Sequence, residues 1–238
     1  MMNAAFSQEL LIIERRVLEM SGLVEQEFAR TMHALRDQDA VLALRIARDT
    51  SIGEVYRQTR SRLLAVMACY APVAHDLRFL LCAQVVMVEL QHISEQVLAI
   101  VQQILRLKRG KQGKQGVAYP PSLGNSQDVI GVLFDAAQRL GPLLPMSAQS
   151  LIAMDIHQAG TTKHAAQRVI LCLQHITLDE DERVLAHTDE RQTDGDDGAQ
   201  LHGAQRHLAL VAQRLETIGT CVRRICDDVE FMVAGDVA

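Results

Sequence analysis

Aromatic residues are scarce in this chain: phenylalanine and tyrosine make up 3% of its 238 residues, and tryptophan is absent. Glycine and proline are also few, at 14 and 5 residues. Hydrophobic residues nevertheless make up 48% of the chain, which is ample for a core. The chain is instead rich in leucine, alanine, valine, isoleucine, glutamine and arginine. This composition favours long helices packed by aliphatic side chains over a sheet.

Cysteines in this chain are not arranged as a disulfide framework would require. They number five, an odd count, and none forms a C-x-x-C pair. We therefore interpret them as reduced, partly buried thiols of a cytosolic protein. They are Cys69, Cys82, Cys172, Cys221 and Cys226.

A concentrated positive charge is also lacking. The net charge of -5 argues against nucleic acid as the main ligand, because a duplex binder needs a concentrated basic face. One basic cluster occurs in a stretch rich in glycine and glutamine, at Lys108, Arg109, Lys111 and Lys114. We interpret this cluster as a solvated linker; a patch that touches an anion or a membrane is the alternative.

Long apolar runs are missing as well. The longest, from Phe79 to Leu90, has about 12 residues and includes Gln84, so it is too short to span a bilayer. The early apolar run at the N-terminus contains acids and arginines, which a secretory signal would not. The sequence therefore predicts a cytoplasmic protein with no membrane insertion.

Three segments instead carry apolar residues at alternating spacings of three and four. This heptad spacing keeps one helix face against neighbours that cross at a shallow angle, as in helical bundles. The first segment comprises Phe6, Leu10, Ile13, Val17, Met20 and Val24. The second comprises Val86, Leu90, Ile93, Val97, Ile100, Ile104 and Leu107. The third comprises Leu208, Val211, Leu215, Ile218, Val222, Ile225, Val229 and Met232.

Helix-breaking residues divide the chain into two parts of similar length. Residues 110–126 contain Pro120 and Pro121 and form the clearest linker. The parts on either side, 7–109 and 127–235, are predicted to hold three helices each. An acidic, breaker-rich stretch at about 188–203 is predicted to be an exposed loop, and a kink is expected at Gly141-Pro142.

The two parts also match each other in sequence. An offset of 125 residues places Leu90 on Leu215 and Ile93 on Ile218, and the rest of the second heptad segment follows. An offset of 116 aligns the opening helices and brings Asp39 onto Asp155. The chance match of two heptads is the alternative, but the repeat predicts an all-α fold of two tandem three-helix bundles, with six long helices.

Three stretches carry more specific motifs. Leu18 to Asp49 reads LEMSGLVEQEFARTMHALRDQDAVLALRIARD, and Ala71 to Leu81 reads APVAHDLRFLL, with a Pro-x-Ala-x-Asp-Leu-Arg signature. Arg214 to Asp236 reads RLETIGTCVRRICDDVEFMVAGD. In order and spacing these stretches resemble the PhoU family of phosphate-uptake regulators, and the resemblance runs from about Ser7 to Gly235.

The resemblance implies a cytoplasmic homodimer without catalytic activity. It implies a negative regulator of phosphate-starvation genes that contacts a phosphate ABC transporter, through its ATPase, and a sensor kinase with its response regulator. The first repeat keeps the signature around Asp76 and Arg78, which makes these two residues the candidate partner surface.

The family also carries paired acids, spaced four residues apart on facing helices, that hold iron or zinc clusters. Carboxylates at this spacing share one helix face. This sequence departs from that pattern, because only three of the eight positions are still acidic. The remaining metal candidates are Asp49, Glu95 and Glu216, and the other five positions read Gly53, Gln91, Ala165, Val169 and Thr220. We therefore expect no iron or zinc cluster and no other cofactor.

One further pattern, Glu89-x-x-His92, has the spacing of half a ferritin-like di-iron motif. No second Glu-x-x-His occurs, so we interpret it as a chance match. Three histidines of the fifth helix, His157, His164 and His175, lack metal-ligand spacing. Two alternatives to a phosphate regulator stay open: a metal-binding helical bundle, and a PhoU-like paralogue that serves another transporter or signalling pair.

Overall fold

The computed structural model describes the backbone of residues 4–110, 124–187 and 196–234. Side chains are described for residues 4–108, 129–174 and 206–234. The described backbone contains eight helices and no strand: α1 (Ala4–Asp37), α2 (Ala40–Ile46), α3 (Ser51–Tyr70), α4 (Ala74–Gly110), α5 (Gly124–Leu140), α6 (Leu143–Ala153), α7 (Ile156–His187) and α8 (Asp196–Ala234).

These eight helices form the six long helices of the predicted all-α fold, with two of the six interrupted. The second helix of the first repeat is divided into α2 and α3, and this break is absent from the prediction. Asp49 lies in the break and accepts a hydrogen bond from the Ser51 amide, 3.1 Å away. The first helix of the second repeat is divided into α5 and α6 at Gly141-Pro142, where the kink is expected.

The turn after the first long helix is repeated almost atom for atom in the second half. Gln38 and Met154 both adopt a left-handed φ of 52°. The next residue, Asp39 or Asp155, bonds through its amide to the carbonyl five residues back, at 2.9 and 3.0 Å. Each aspartate then accepts a hydrogen bond from the amide three residues ahead, at 3.0 Å in both turns. These Schellman and N-cap bonds confirm the alignment at an offset of 116 residues.

The heptad stripes form the core, as the spacing predicts. Leu90 and Ile93 on α4 and their counterparts Leu215 and Ile218 on α8 are all fully buried. Close packing also explains Gly219, since a Cβ there would lie 2.9 Å from Ile170 Cγ1 on α7. Among the described residues, the third helix of each repeat therefore supplies more buried hydrophobic side chains than any other helix of that repeat.

Helices α4 and α8 run antiparallel along the boundary between the repeats. Polar contacts mark their register: Gln103 meets His207 at 2.9 Å, and Gln96 accepts from Arg214 at 3.1 Å. Further along, the register brings His92 beside Cys221. We refer to this α4–α8 contact as the seam.

Two predicted loop boundaries differ from the structure. Helix α8 begins at Asp196, so the second half of the stretch at 188–203 is helical and only 188–195 lie outside the described residues. Helix α5 begins at Gly124, so the predicted linker at 110–126 overlaps it, and residues 111–123 are not described. Pro72, which a helix start can accommodate, lies two residues before α4. Composition predicts a loop in both stretches, because glycine and aspartate have low helix propensity, but low propensity alone does not end a helix.

Helix α4 is long and apolar enough, over Ala74–Lys108, to cross a membrane by those two criteria alone. Half of its most apolar window is buried inside the protein, as expected for the core helix of a bundle. It packs against α1, α3 and α8. A stripe on its outer face, formed by Leu81, Val85 and Val88, is exposed.

Replacing Ile93 or Ile218 by alanine should lower the free energy of unfolding by about 2–5 kcal/mol, because each truncation leaves a cavity in a fully buried stripe. Leu171→Ala on α7 is the matched control. That side chain is 51% exposed, and its loss should change the free energy by no more than about 0.5 kcal/mol. Urea unfolding followed by circular dichroism gives these values. Equal losses in all three variants would show that the stripes are not the main support of the fold.

Candidate functional sites

Asp49, a predicted metal candidate, holds the turn before α3 in the structure. It accepts the Ser51 amide in the turn before α3 and pairs with Arg30 at 3.8 Å. The hydrogen bonds from Ser51, with a smaller contribution from Arg30, lower the pKa of Asp49. Its charge is therefore already compensated without a metal ion.

The other two predicted metal candidates lie on separate helices. Glu95 is exposed on α4. Glu216 on α8 accepts a hydrogen bond from Gln174 Nε2 at 2.7 Å. In the part of the chain that the structure describes, none of the three acids belongs to a group of three converging histidine, cysteine or acidic ligands. The absence of an iron or zinc cluster stays a prediction.

A buried acid that the sequence analysis missed lies close to Asp49. Glu27 on α1 is only 6% exposed, and Ser94 Oγ on α4 donates to its Oε2 at 2.9 Å. Burial raises the pKa of Glu27 to about 7, because the loss of hydration outweighs the Ser94 bond. The residue lines a cleft of about 50 Å³ together with Leu23, Gln26, Arg30, Asp49, Ser51 and Ile52. A sequence signal existed, because Glu27 follows Val24 by three residues and so falls on the apolar face.

The raised pKa of Glu27 predicts that stability falls as the pH rises from about 4.5 to about 7. In this window the unfolded carboxyl is ionised while the folded one still holds its proton, so folding must take up a proton. Glu27→Gln should remove this dependence and stabilise the protein at pH 8 by roughly 1–3 kcal/mol.

The measurement is the free energy of unfolding at pH 5 and pH 8, with Glu25→Gln as the control. Glu25 is a partly exposed acid on the same helix. If Glu27→Gln retains the pH dependence of the unmodified protein, another group is responsible for it.

The predicted partner residues lie together at one end of the first bundle. Asp76 and Arg78 occupy the first turns of α4, where Asp76 is partly exposed and Arg78 exposed. The preceding turn has two residues with left-handed φ, Ala71 and Ala74, and displays Val73 at 74% exposure. Among the described residues, Arg78 forms no ion pair. The structure thus presents this signature to solvent; a role in partner binding stays a proposal.

A second cluster lies in the seam. Glu89 and His92 on α4 lie beside Cys221 on α8. One potential metal-ligand atom of each residue lies within 4.8 Å of the corresponding atoms of the other two. Cys221 Sγ lies 3.6 Å from His92 Nδ1. Glu89 Oε1 lies 3.6 Å from Arg224, whereas its Oε2 is buried without a hydrogen-bond partner. The fold therefore adds a third potential ligand, Cys221, to the Glu89-x-x-His92 pair, and the sequence pattern alone does not indicate it.

The fold and its duplicated turns define a class of protein: a tandem pair of three-helix bundles. Two solved structures share this architecture. PhoU from Pseudomonas aeruginosa superposes with a TM-score of 0.74 at 18% identity, covering 97% of this chain and 100% of that one. The phosphate transport system regulatory protein PhoU from Streptococcus pneumoniae gives 0.75 at 14% identity, covering 98% and 99%. At these identities the likeness establishes the fold alone.

Sequence comparisons link part of the chain to one family. The PhoU domain family model matches residues 17–104. A curated phosphate-specific transport system accessory protein PhoU homolog from Rhizobium meliloti is 32% identical over 93 residues, 39% of each chain. The homolog from Pseudomonas aeruginosa is 24% identical over 144 residues, 60% of each chain. The alignments thus span less than two thirds of these relatives. The resemblance to the PhoU family is confirmed, and residues 17–104 are a PhoU domain.

Proposed function

We propose that this chain is a cytoplasmic accessory regulator of phosphate uptake that acts through protein contacts and not through catalysis. The PhoU domain at residues 17–104 carries the proposal, because curated relatives that share it are named accessory proteins of phosphate-specific transport systems. The proposed partners are the ATPase of a phosphate ABC transporter and a sensor kinase with its response regulator. In this proposal the protein is a homodimer that silences phosphate-starvation genes when phosphate is plentiful.

The first repeat offers the better candidate for a partner surface. It keeps the signature of Pro72, Asp76 and Arg78, and the family match ends within α4 of the same repeat. In the second repeat, Asp197 stands at the position of Pro72 and Gly203 at the position of Arg78, so the proline and the arginine of the signature are both absent there. The second half therefore carries less of the family pattern than the first.

Exposure and charge make Arg78 suited to an intermolecular ion pair. An exposed guanidinium that forms no ion pair with any residue described in the structure can meet a carboxylate on another protein. Reversing its charge would place two like charges across such an interface, which costs a few kcal/mol of binding. The bundle itself should be little affected, because surface substitutions of this kind change stability by about 0.5 kcal/mol or less.

We expect Arg78→Glu to fold normally and yet fail to silence a phosphate-starvation reporter in a strain that lacks the native gene. Arg60→Glu is the matched control: Arg60 is an exposed arginine on α3 that makes no ion pair among the described residues. It should silence the reporter as the unmodified protein does. The measurements are reporter activity in phosphate-rich medium, far-ultraviolet circular dichroism and protein abundance.

The same experiment separates the proposal from its alternatives. Full silencing by Arg78→Glu would place the partner surface elsewhere on the protein. Unchanged reporter activity after deletion of the gene would contradict the phosphate-regulator proposal itself. The loss of five of the eight paired acids would then favour a PhoU-like paralogue that serves another transporter or signalling pair.

A further inference from the structure

Three potential metal ligands converge in the seam from two helices that are distant in sequence. Glu89 and His92 are three residues apart, so they share one face of α4. Cys221 reaches them from α8, and its side chain is fully buried. None of these residues occupies a position of the paired acids expected from the sequence.

The spacing of the Cys221 and His92 ligand atoms fits a tetrahedral ion. Zinc–sulfur and zinc–nitrogen bonds of about 2.3 and 2.05 Å at a tetrahedral angle place the two ligand atoms about 3.6 Å apart. Cys221 Sγ and His92 Nδ1 are 3.6 Å apart. A thiol that donates to the imidazole nitrogen would give a similar distance, so a second observation is needed to distinguish the two arrangements.

Glu89 supplies that observation. Its Oε2 is buried and accepts no hydrogen bond from a described nitrogen or oxygen donor, and a buried carboxylate oxygen left unsatisfied costs free energy. The Cys221 thiol is close enough to act on the Glu89 carboxylate, but a thiol is only a weak hydrogen-bond donor. Glu89 Oε1 lies 3.6 Å from Arg224, beyond hydrogen-bond range, and the Arg224 side chain is 54% exposed. One strong acceptor therefore remains unused within reach of a sulfur and a nitrogen ligand.

The combination of donors selects the kind of ion. A thiolate excludes Mg²⁺ and Ca²⁺, which bind through oxygen, whereas sulfur, imidazole and carboxylate together suit Zn²⁺. One thiolate and one carboxylate also neutralise a divalent ion, so the bound site would carry no net charge into the protein interior. We propose that Glu89, His92 and Cys221 form a binding site for a single Zn²⁺ ion that ties α4 to α8.

Binding must remove one proton. Zinc binds the thiolate form of cysteine, so a Cys221 thiol must give up its proton on binding. The sulfur–hydrogen bond breaks, the sulfur–zinc bond forms, and the proton leaves to solvent. The fourth coordination position falls to water.

Cobalt substitution tests the site directly. The full chain is purified without a metal-binding tag, reduced, stripped with a chelator and titrated with Co²⁺. We expect a thiolate-to-cobalt charge-transfer band and tetrahedral d–d bands that saturate at about one ion per chain, and we expect Zn²⁺ to abolish them. Zinc should also raise the unfolding temperature of the reduced protein.

Three variants and one matched control locate the ligands. Cys221→Ser, His92→Gln and Glu89→Gln should each weaken Zn²⁺ affinity, by at least about 100-fold for the first two. Cys226→Ser should keep it, because Cys226 is a buried cysteine of the same helix outside the cluster. Circular dichroism of the metal-free variants checks folding. His92 and Glu89 are only partly buried, so their variants decide the matter if Cys221→Ser does not fold.

Two outcomes would overturn the proposal. The absence of a thiolate–cobalt band in the unmodified protein would show that the cluster is a thiol–imidazole hydrogen bond and nothing more. Zinc binding that survives both Cys221→Ser and His92→Gln would place the ion elsewhere. Neither outcome bears on the reporter experiment with Arg78, so this proposal and the phosphate-regulator proposal can fail independently.

Discussion

Burial of aliphatic side chains along α4 and α8 is the constraint on which the rest of the structure depends. Each helix carries a heptad stripe that is almost wholly removed from water, and burial of one such side chain contributes about 1.5–3 kcal/mol. The five cysteines are free thiols, so no disulfide shares this task in the reduced protein. The shorter helices pack around these two. The cluster of Glu89, His92 and Cys221 lies where α4 and α8 meet.

The features predictable from sequence are those that depend on local periodicity. The spacing of Leu90, Ile93, Leu215 and Ile218 predicts their burial, because a 3.5-residue repeat keeps one face of a helix against its neighbours. The cap at Asp39 follows from its short polar side chain before an apolar segment. The partner signature could also be located on an exposed turn from its proline and charged residues.

Other features depend on contacts between residues that are distant in sequence. Glu27 and Ser94 are 67 residues apart, and His92 and Cys221 are 129 apart, so no local pattern brings either pair together. The start of α8 at Asp196 is not predicted, because this residue and its acidic neighbours have the composition of a solvated loop. Over its length, α8 packs against α4 and α7. The break between α2 and α3 contains Asp49, whose side chain accepts the Ser51 amide, and the paired-acid pattern of the sequence does not indicate that turn.

The repeated turn at Gln38 and Met154 has a consequence for the way the chain reaches this structure. Its bonds join residues no more than five positions apart, so each turn can form without help from the other half. The seam, in contrast, joins residues more than 100 positions apart and needs both halves. During synthesis the first turn emerges long before α8 exists. The helical hairpin of the first repeat can therefore assemble co-translationally, and closure of the seam is left as a late, post-synthetic event.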